Sequence, residues 1–369
     1  MRRRTFLATS AAWAGLGSVG WLESARGAIA ANRLEQAAGV LQKAADSGVL
    51  AAAAMLVQDE GETFTRAFGA AKSTDAVFLL ASISKPIAMT ALMTLYDQGK
   101  FQLDDAVQKF IPEFKGDGRE QITIRHLLTH VSGLPDQLQE NQALRKGHAP
   151  MAKFVSGAIR TPLLFKPASK YSYSSMGILL GAEIAQRISG ATIHDLMRDS
   201  IFKPLGMTRS ALGLGHLKLE ETMQCQTASA APESGAGSNA AKDWDWNSRY
   251  WREFGAPWGG AHASIIDLGR YFQEFLKPTG AVLRPETARM MIRNHNPECF
   301  EPRGLGFRVG PAAGSPGCSD ATFGHTGSTG TLAWADPERN RVCLVLTTLP
   351  GAAMKPHPRQ LVSDQIARA

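Results

Sequence analysis

The chain has 369 residues, of which 44% are apolar and 20% charged, and a formal net charge of +7. This composition excludes a disordered polyelectrolyte, and the length permits two or three domains or one large fold carrying an insertion. No apolar run reaches bilayer-spanning length.

The first stretch, "MRRRTFLATSAAWAGLGSVGWL", sets three arginines before a mildly apolar, glycine- and alanine-rich segment. Ala28-Ile29-Ala30 offers a small-residue cleavage site, so residues 1–30 read as a signal peptide. Arg3-Arg4-Thr5-Phe6-Leu7 resembles a twin-arginine signal, which implies an exported, periplasmic or extracellular protein. Its removal takes four arginines and one glutamate and leaves about +4. The remaining Lys and Arg are scattered, which argues against a nucleic-acid partner. Gly15-x-Gly17-x-x-Gly20 lies inside the signal and follows no strand, so it is no dinucleotide site.

Residues 32–48 carry apolar positions at Leu34, Ala37, Ala38, Leu41 and Ala45, a helical period. Residues 50–57 and 63–70 read as strands joined by Asp59-Glu60-Gly61. After the apolar Phe78-Leu79-Leu80-Ala81, a helix runs over 86–97 and stops at Gly99. Residues 122–135, 176–189 and 191–207 also read as helical, the last ended by Pro204 and Gly206. Residues 227–241 are small, polar and aperiodic, the mark of a surface loop. Trp244, Trp246, Tyr250, Trp251, Phe254 and Trp258 crowd behind it. A helix over 264–277, strands at 305–309, 331–336 and 341–348, and a helix near 358–368 complete the chain. Strands at both ends and helices between them predict a sheet built from residues 31–80 and 260–369, with a helical part, 81–259, inserted. No two of Cys225, Cys299, Cys318 and Cys343 are spaced as a zinc or redox pair. An exported chain has the means to oxidise Cys299 with Cys318. Twin-arginine substrates fold in a reducing cytoplasm, however, and this favours free thiols.

Ser-x-x-Lys occurs twice, at Ser82/Lys85 and Ser200/Lys203. About one chance occurrence is expected in a chain this long at average residue frequencies, so context must choose. Ser200 closes a helical pattern, and Lys203 is followed by Pro-Leu-Gly, which ends helices. Ser82 opens a helix, because Pro86 is tolerated only in a first turn. Ser82 and Lys85 then share one face one turn apart, and the helix start favours negative charge on an oxygen. A serine is a weak nucleophile without a base, and a lysine serves only when its pKa is lowered. Tyr173, opening a helix after Pro167, offers a phenol to the same cleft. The glycine-rich 323–336 reads as an edge strand able to supply a backbone N–H to an oxyanion.

Six segments, in order from about 50 to 350, resemble the serine β-lactamase and penicillin-binding-protein-like superfamily, in its class C, esterase and D-aminopeptidase branch. They are "LLASISKPIAMTALMTLYDQGKFQLDDAVQKFIP", "ITIRHLLTHVSGLP", "FKPASKYSYSSMGILLGAEIAQRISG", "IFKPLGMTRS", "GGAHASIIDLGRYF" and "FGHTGSTG…WADPERNRVCLVLTT". The resemblance implies an α+β fold: an antiparallel sheet flanked by helices, made from both chain ends, with a mostly helical insertion. It implies Ser82 as acylated nucleophile, Lys85 as its proton acceptor and Tyr173 as proton relay. The backbone N–H groups of Ser82 and Ser328 would form the oxyanion hole. Ser175, His325, Thr326 and Gly327 would bind substrate, a small-molecule ester or amide, with no cofactor and no metal.

Two departures from the family's motifs bear on substrate. Ser175 stands where the family's Tyr-x-Asn motif has asparagine, and His325 where Lys-Thr-Gly has lysine. Both weaken the hold on β-lactams and D-Ala-D-Ala peptides, so ester hydrolysis is the leading expectation. A β-lactamase or D-Ala-D-Ala carboxypeptidase is the alternative, and a sensor that is acylated without turnover a third reading. Arg303 and Arg308 are the nearest substitute cations in sequence. Several residues have competing readings. Tyr171 is an alternative base. His126 and His130 mimic a metal pair but lack an intervening Glu, and they fit a structural turn better. Asp104-Asp105 reads as loop capping and salt bridging, and the aromatic cluster as either an acyl pocket or packing.

Overall fold

The computed structural model describes residues 28–369. The expected signal therefore lies outside the described residues up to position 27. Ile29 is buried, and its N–H donates to Asp59 Oδ2 at 2.7 Å, so the last residues of the expected signal touch the domain.

Helix α1 (Ala31–Asp46) lays Ala37, Ala38 and Leu41 on the sheet. The sheet is antiparallel, with the order β2 (62–69), β1 (52–59), β9 (341–347), β8 (331–336), β7 (323–327) and β6 (308–309). Strands β1 (Ala52–Asp59) and β2 (Glu62–Gly69) form the N-terminal hairpin. β1 then pairs with β9 (Arg341–Thr347), which places Met55 opposite Val345. Both faces of β1 are buried. Ala53, Met55 and Val57 face α1 and α11 (Pro358–Ala367), while Ala54 and Leu56 join the larger core under α9 (Ile265–Leu276). A strand covered on both sides reads as a continuous apolar run, as "AAAAMLV" does.

A second, three-stranded sheet has the order β3-β5-β4: Phe78–Leu79, Ala261–Ala263 and Ser210–Leu212. It joins the two ends of the helical part. Helix α2 (Ser84–Asp97) is buried from Ser84 through Leu95 and packs on α6 (Ser175–Ser189). Around this pair lie α3 (Ile124–Leu128), α4 (Asn141–Lys146), α5 (Met151–Arg160), α7 (Ile193–Met197) and α8 (Arg249–Phe254). Helix α10 (Pro285–Met291) precedes β6 (Arg308–Val309), β7 (Phe323–Gly327) and β8 (Thr331–Asp336).

The antiparallel sheet from both chain ends and the helical insertion match the sequence reading, and three expectations need correction. The helix expected over 122–135 is one short turn, Ile124–Leu128, capped by Thr123. His130 then takes a left-handed φ of 63° and the chain bends toward the site. The strand expected at 305–309 is only Arg308–Val309. β7 is not the outermost strand, but β6 covers only Phe323 and Gly324, so His325–Gly327 keeps an open edge. Helices α4, α5, α8 and α10 had no counterpart among the expected elements.

Candidate active site

Ser82 sits where β3 breaks into helix. Leu80 N–H donates to Ala261 O at 2.8 Å, tying the chain to β5. Ala81 then adopts φ 48°, a left-handed conformation that costs energy in a residue with a Cβ. A 3₁₀ turn, Ala81–Ile83, leads into α2. Ser84 Oγ fastens the bend by donating to Ala81 O at 2.6 Å and accepting from Ala261 N at 2.9 Å. One turn on, Lys85 is 1% exposed. Its Nζ donates to Ser82 Oγ at 3.0 Å and to Trp258 O at 2.9 Å. Burial lowers its pKa to about 8; Asp136 opposes that shift and Arg303 adds to it.

Tyr173 precedes α6 and faces the same serine. Burial pushes its phenol well above the ordinary value, an effect countered in part by a hydrogen bond with Ser82. Two bonds set its backbone: Ser172 N–H donates to His130 O at 3.0 Å, and Ser174 N–H to His130 Nδ1 at 3.1 Å. The His130 ring lies 4.7 Å from the Tyr173 ring, and burial keeps it neutral. Tyr171 points elsewhere: its hydroxyl accepts from Arg303 Nη2. Burial raises its pKa to about 12.

The third side is the β7–β8 hairpin, bound to the nucleophile turn by two threonines. Thr329 Oγ1 donates to Leu79 O and Thr331 Oγ1 to Leu80 O, each at 2.8 Å. From the far side, Arg359 Nη1 donates to Gly327 O at 2.6 Å and Thr331 O at 2.8 Å. A Cβ at Gly327 would run into Leu80 O and Thr331 Oγ1, so only glycine permits this approach. Ser328 follows at the tip, and neither its N–H nor that of Ser82 is taken up by turn or cap bonds among the described residues.

His325 is 2% exposed. Its Nδ1 lies 2.7 Å from Thr326 O, an acceptor, so Nδ1 carries the proton and Nε2 is a lone pair without a partner. Burial, with Arg303 and Lys85 nearby, holds its pKa well below 6.5. This neutral imidazole cannot act as a cation.

Two compartments meet at Ser82. The larger, about 580 Å³, is lined by His325–Ser328, Tyr171, Glu301, Arg303, Arg308 and the 350–355 loop. The smaller, about 190 Å³, lies against Lys85, Asp136, Ser175, Trp246, Trp251 and Trp258. Of the aromatic cluster, three tryptophans line this compartment, while Tyr250 and Phe254 pack around them. Arg145 lies 3.8 Å from the Trp251 ring centroid and donates to Glu233 O at 2.9 Å. It thereby fixes the 227–245 loop as the roof of the smaller compartment.

Other candidates fall away from the site. Ser200 Oγ donates to Leu196 O at 2.6 Å, and Lys203 pairs instead with Asp199 at 2.7 Å. Asp104 is paired with Arg125, while Asp105 accepts from Gln102 N–H and Lys109. His126 caps α3. All four cysteines are free. No cluster of three His, Cys, Asp or Glu able to hold a metal occurs among the described residues. Sequence reasoning passed over Asp136 and the Trp258 carbonyl, and it gave His130 no part in holding Tyr173. All three depend on chain crossings that no local spacing announces.

An antiparallel sheet and a helical insertion meeting on a lysine-paired serine place the protein among the β-lactamase-fold serine hydrolases. The chain belongs to the Beta-lactamase family, which it matches over residues 33–365. A relative from Escherichia coli K12, named "Putative D-alanyl-D-alanine carboxypeptidase", is 26% identical, covering 90% of this chain and 87% of its own. Two solved structures share the fold. EstCE1, described as a hydrolase with promiscuous acyltransferase activity, has a TM-score of 0.74 at 20% identity, covering 91% of this chain and 98% of its own. A penicillin-binding protein homologue from Caulobacter crescentus has 0.73 at 22%, covering 92% and 98%.

Proposed function

We propose that the protein is an exported hydrolase of carboxylic esters that works through a Ser82 acyl-enzyme. The observation that carries this reading is the 3.0 Å contact between Ser82 Oγ and a buried Lys85 whose pKa is about 8. Such an amine is neutral in an appreciable fraction at neutral pH and accepts the Ser82 proton as Oγ adds to the ester carbonyl. The N–H groups of Ser82 and Ser328 receive the oxyanion. Tyr173, with its raised pKa, stays protonated and serves as donor. It passes its proton to the departing alkoxide as the C–O bond breaks and is reprotonated from the Lys85 ammonium. Water then repeats the sequence on the acyl-enzyme, releasing the acid and restoring Ser82. Neutral His325 favours esters without a carboxylate on the hairpin side.

A second reading, a D-Ala-D-Ala type peptidase, is favoured by Arg303. This residue is 3% exposed, and its Nε and Nη1 have no partner beside the larger compartment. A buried cation with N–H donors left over after its Nη2 bonds to Tyr171 and Glu301 suits an anionic substrate group. The Escherichia coli relative's name points the same way.

A panel of p-nitrophenyl esters, nitrocefin and D-Ala-D-Ala peptides, with intact-mass detection of the acyl-enzyme, separates the readings. Faster turnover of p-nitrophenyl butyrate than of nitrocefin or the peptides is expected. Peptide release outpacing the ester would put the second reading first. Ser82→Ala should abolish turnover and labelling by a fluorophosphonate, and Ser200→Ala should change neither. A label on any other serine sinks the assignment.

A further inference from the structure

Asp136 has no part in the reaction above, yet it is a carboxylate in the smaller compartment with Ser82, Lys85 and Tyr173. Its Oδ1 accepts twice from the first residue of α6: from Ser175 N–H at 3.0 Å and Ser175 Oγ–H at 2.5 Å. The helix is 15 residues long, so its N-terminus adds favourable field to the carboxylate. No Lys, Arg or His among the described residues lies within ion-pair distance of Asp136. Ser175, the position matched to a substrate-binding asparagine, is therefore occupied in holding an acid.

We infer that Asp136 is a positioning residue that keeps Lys85 basic enough to accept the Ser82 proton, and that Ser175 fixes Asp136 for this purpose. The inference rests on the Ser82–Lys85 reading.

The surroundings of Lys85 explain why a negative charge is needed. From α2 and the β5 approach it meets only the Ser82 hydroxyl and the Trp258 carbonyl. From the start of α6 it meets the Tyr173 ring, whose centroid is 4.7 Å from Nζ. His130 and His325, both neutral, come from the α3 turn and β7. Arg303 and Arg308 stand beyond Tyr173, and the one carboxylate near them, Glu301, is paired with both. Arg145 and Glu233 close the roof of the smaller compartment, Arg145 over Trp251. Burial and Arg303 both weaken the base, and Asp136 is the acid that opposes them. A base too weak cannot take the serine proton, and one too strong stays charged.

The test is the pH dependence of Ser82 labelling by a fluorophosphonate, followed by intact mass, which needs no natural substrate. The wild-type rate should rise through an inflection near pH 8, the Lys85 value. Asp136→Asn should move that inflection down by roughly one pH unit and lower the high-pH rate, the shift expected on losing an adjacent opposite charge. Asp136→Glu and Ser175→Ala keep the charge and should keep the inflection near wild type, at reduced rates. An inflection unmoved in Asp136→Asn overturns the inference, whatever the loss of rate. Asp136→Ser, also neutral, stands in if the asparagine variant does not fold by circular dichroism. If neither neutral variant folds, Asp136 is a structural residue and the inference fails. Absence of wild-type labelling at Ser82 would instead sink the underlying reading.

Discussion

At the scale of single residues, the site turns on which groups hold a charge at neutral pH. In the proposed mechanism Lys85 serves as the base, because its folded pKa, about 8, lies far below that of a free lysine, whereas Tyr173 is shifted the opposite way. The reactive form is the neutral amine, so turnover should fall as pH drops below about 8 and level off above it, read from kcat/KM against pH. An ordinary imidazole gains charge on mild acidification and would then draw carboxylates, but His325 is not in an ordinary setting. Its pKa is held well below 6.5, so no separate limb from this residue should appear near pH 6.5. Arg303 is a buried cation lining the larger compartment, alongside Arg308, Lys355 and Arg359. Arg303→Met should raise KM for nitrocefin roughly ten- to a hundredfold, the loss of one charge-assisted bond, and leave p-nitrophenyl butyrate nearly unchanged. Equal effects on both substrates would remove Arg303 from carboxylate recognition.

At the scale of elements, three segments converge on Ser82: the β3 turn, the start of α6 and the β7–β8 hairpin. The hairpin carries Ser328, and its position relative to Ser82 depends on the Thr329 and Thr331 hydroxyls. Thr331→Val keeps the shape but leaves the Leu80 carbonyl without this donor, costing about 1–3 kcal/mol. Ser82 labelling should slow together with the drop in melting temperature. A variant that loses stability but labels at the wild-type rate would show that the hairpin's position does not govern the serine. The 227–241 segment behaves in a related way. Its composition reads as a surface loop, yet Arg145, stacked on Trp251, donates to the Glu233 and Trp244 carbonyls and holds it over the smaller compartment.

At the scale of the whole molecule, buried histidines link stability to pH. Burial depresses His130, His262, His325 and His357, with His262 at about 3 and His357 at about 4. In the unfolded chain each titrates near 6.5. Because the folded pKa values are the lower ones, this stability is present above pH 6.5 and is lost as pH falls toward them. Each such proton contributes about 1.4 kcal/mol per pH unit across that window. Urea midpoints should therefore fall steeply between pH 6.5 and 4, and midpoints flat over that range would contradict the burial of these rings. Export is tested at the other end of the chain. Arg3-Arg4→Lys-Lys should leave uncleaved precursor in the cytoplasm of a host using the twin-arginine route, and normal periplasmic accumulation would refute that signal.

The sequence alone determined the features that depend on neighbours along the chain. The first hairpin, α1, α2 and α6 follow from apolar period and turn residues, and Pro86 separates Ser82/Lys85 from Ser200/Lys203 by fixing where a helix begins. Motif order made the antiparallel sheet with its helical insertion legible as well. Only the tertiary structure decided the charges and the walls of the site. The depressed pKa of Lys85 comes from burial beneath Trp258 and Tyr173, and the neutral state of His325 from burial beside Arg303. Asp136 meets Ser175 across 39 residues, and Thr331 meets Leu80 across 251. Desolvation and Coulomb interaction depend on distance in space, and a linear pattern carries no record of which distant segments will lie against one another.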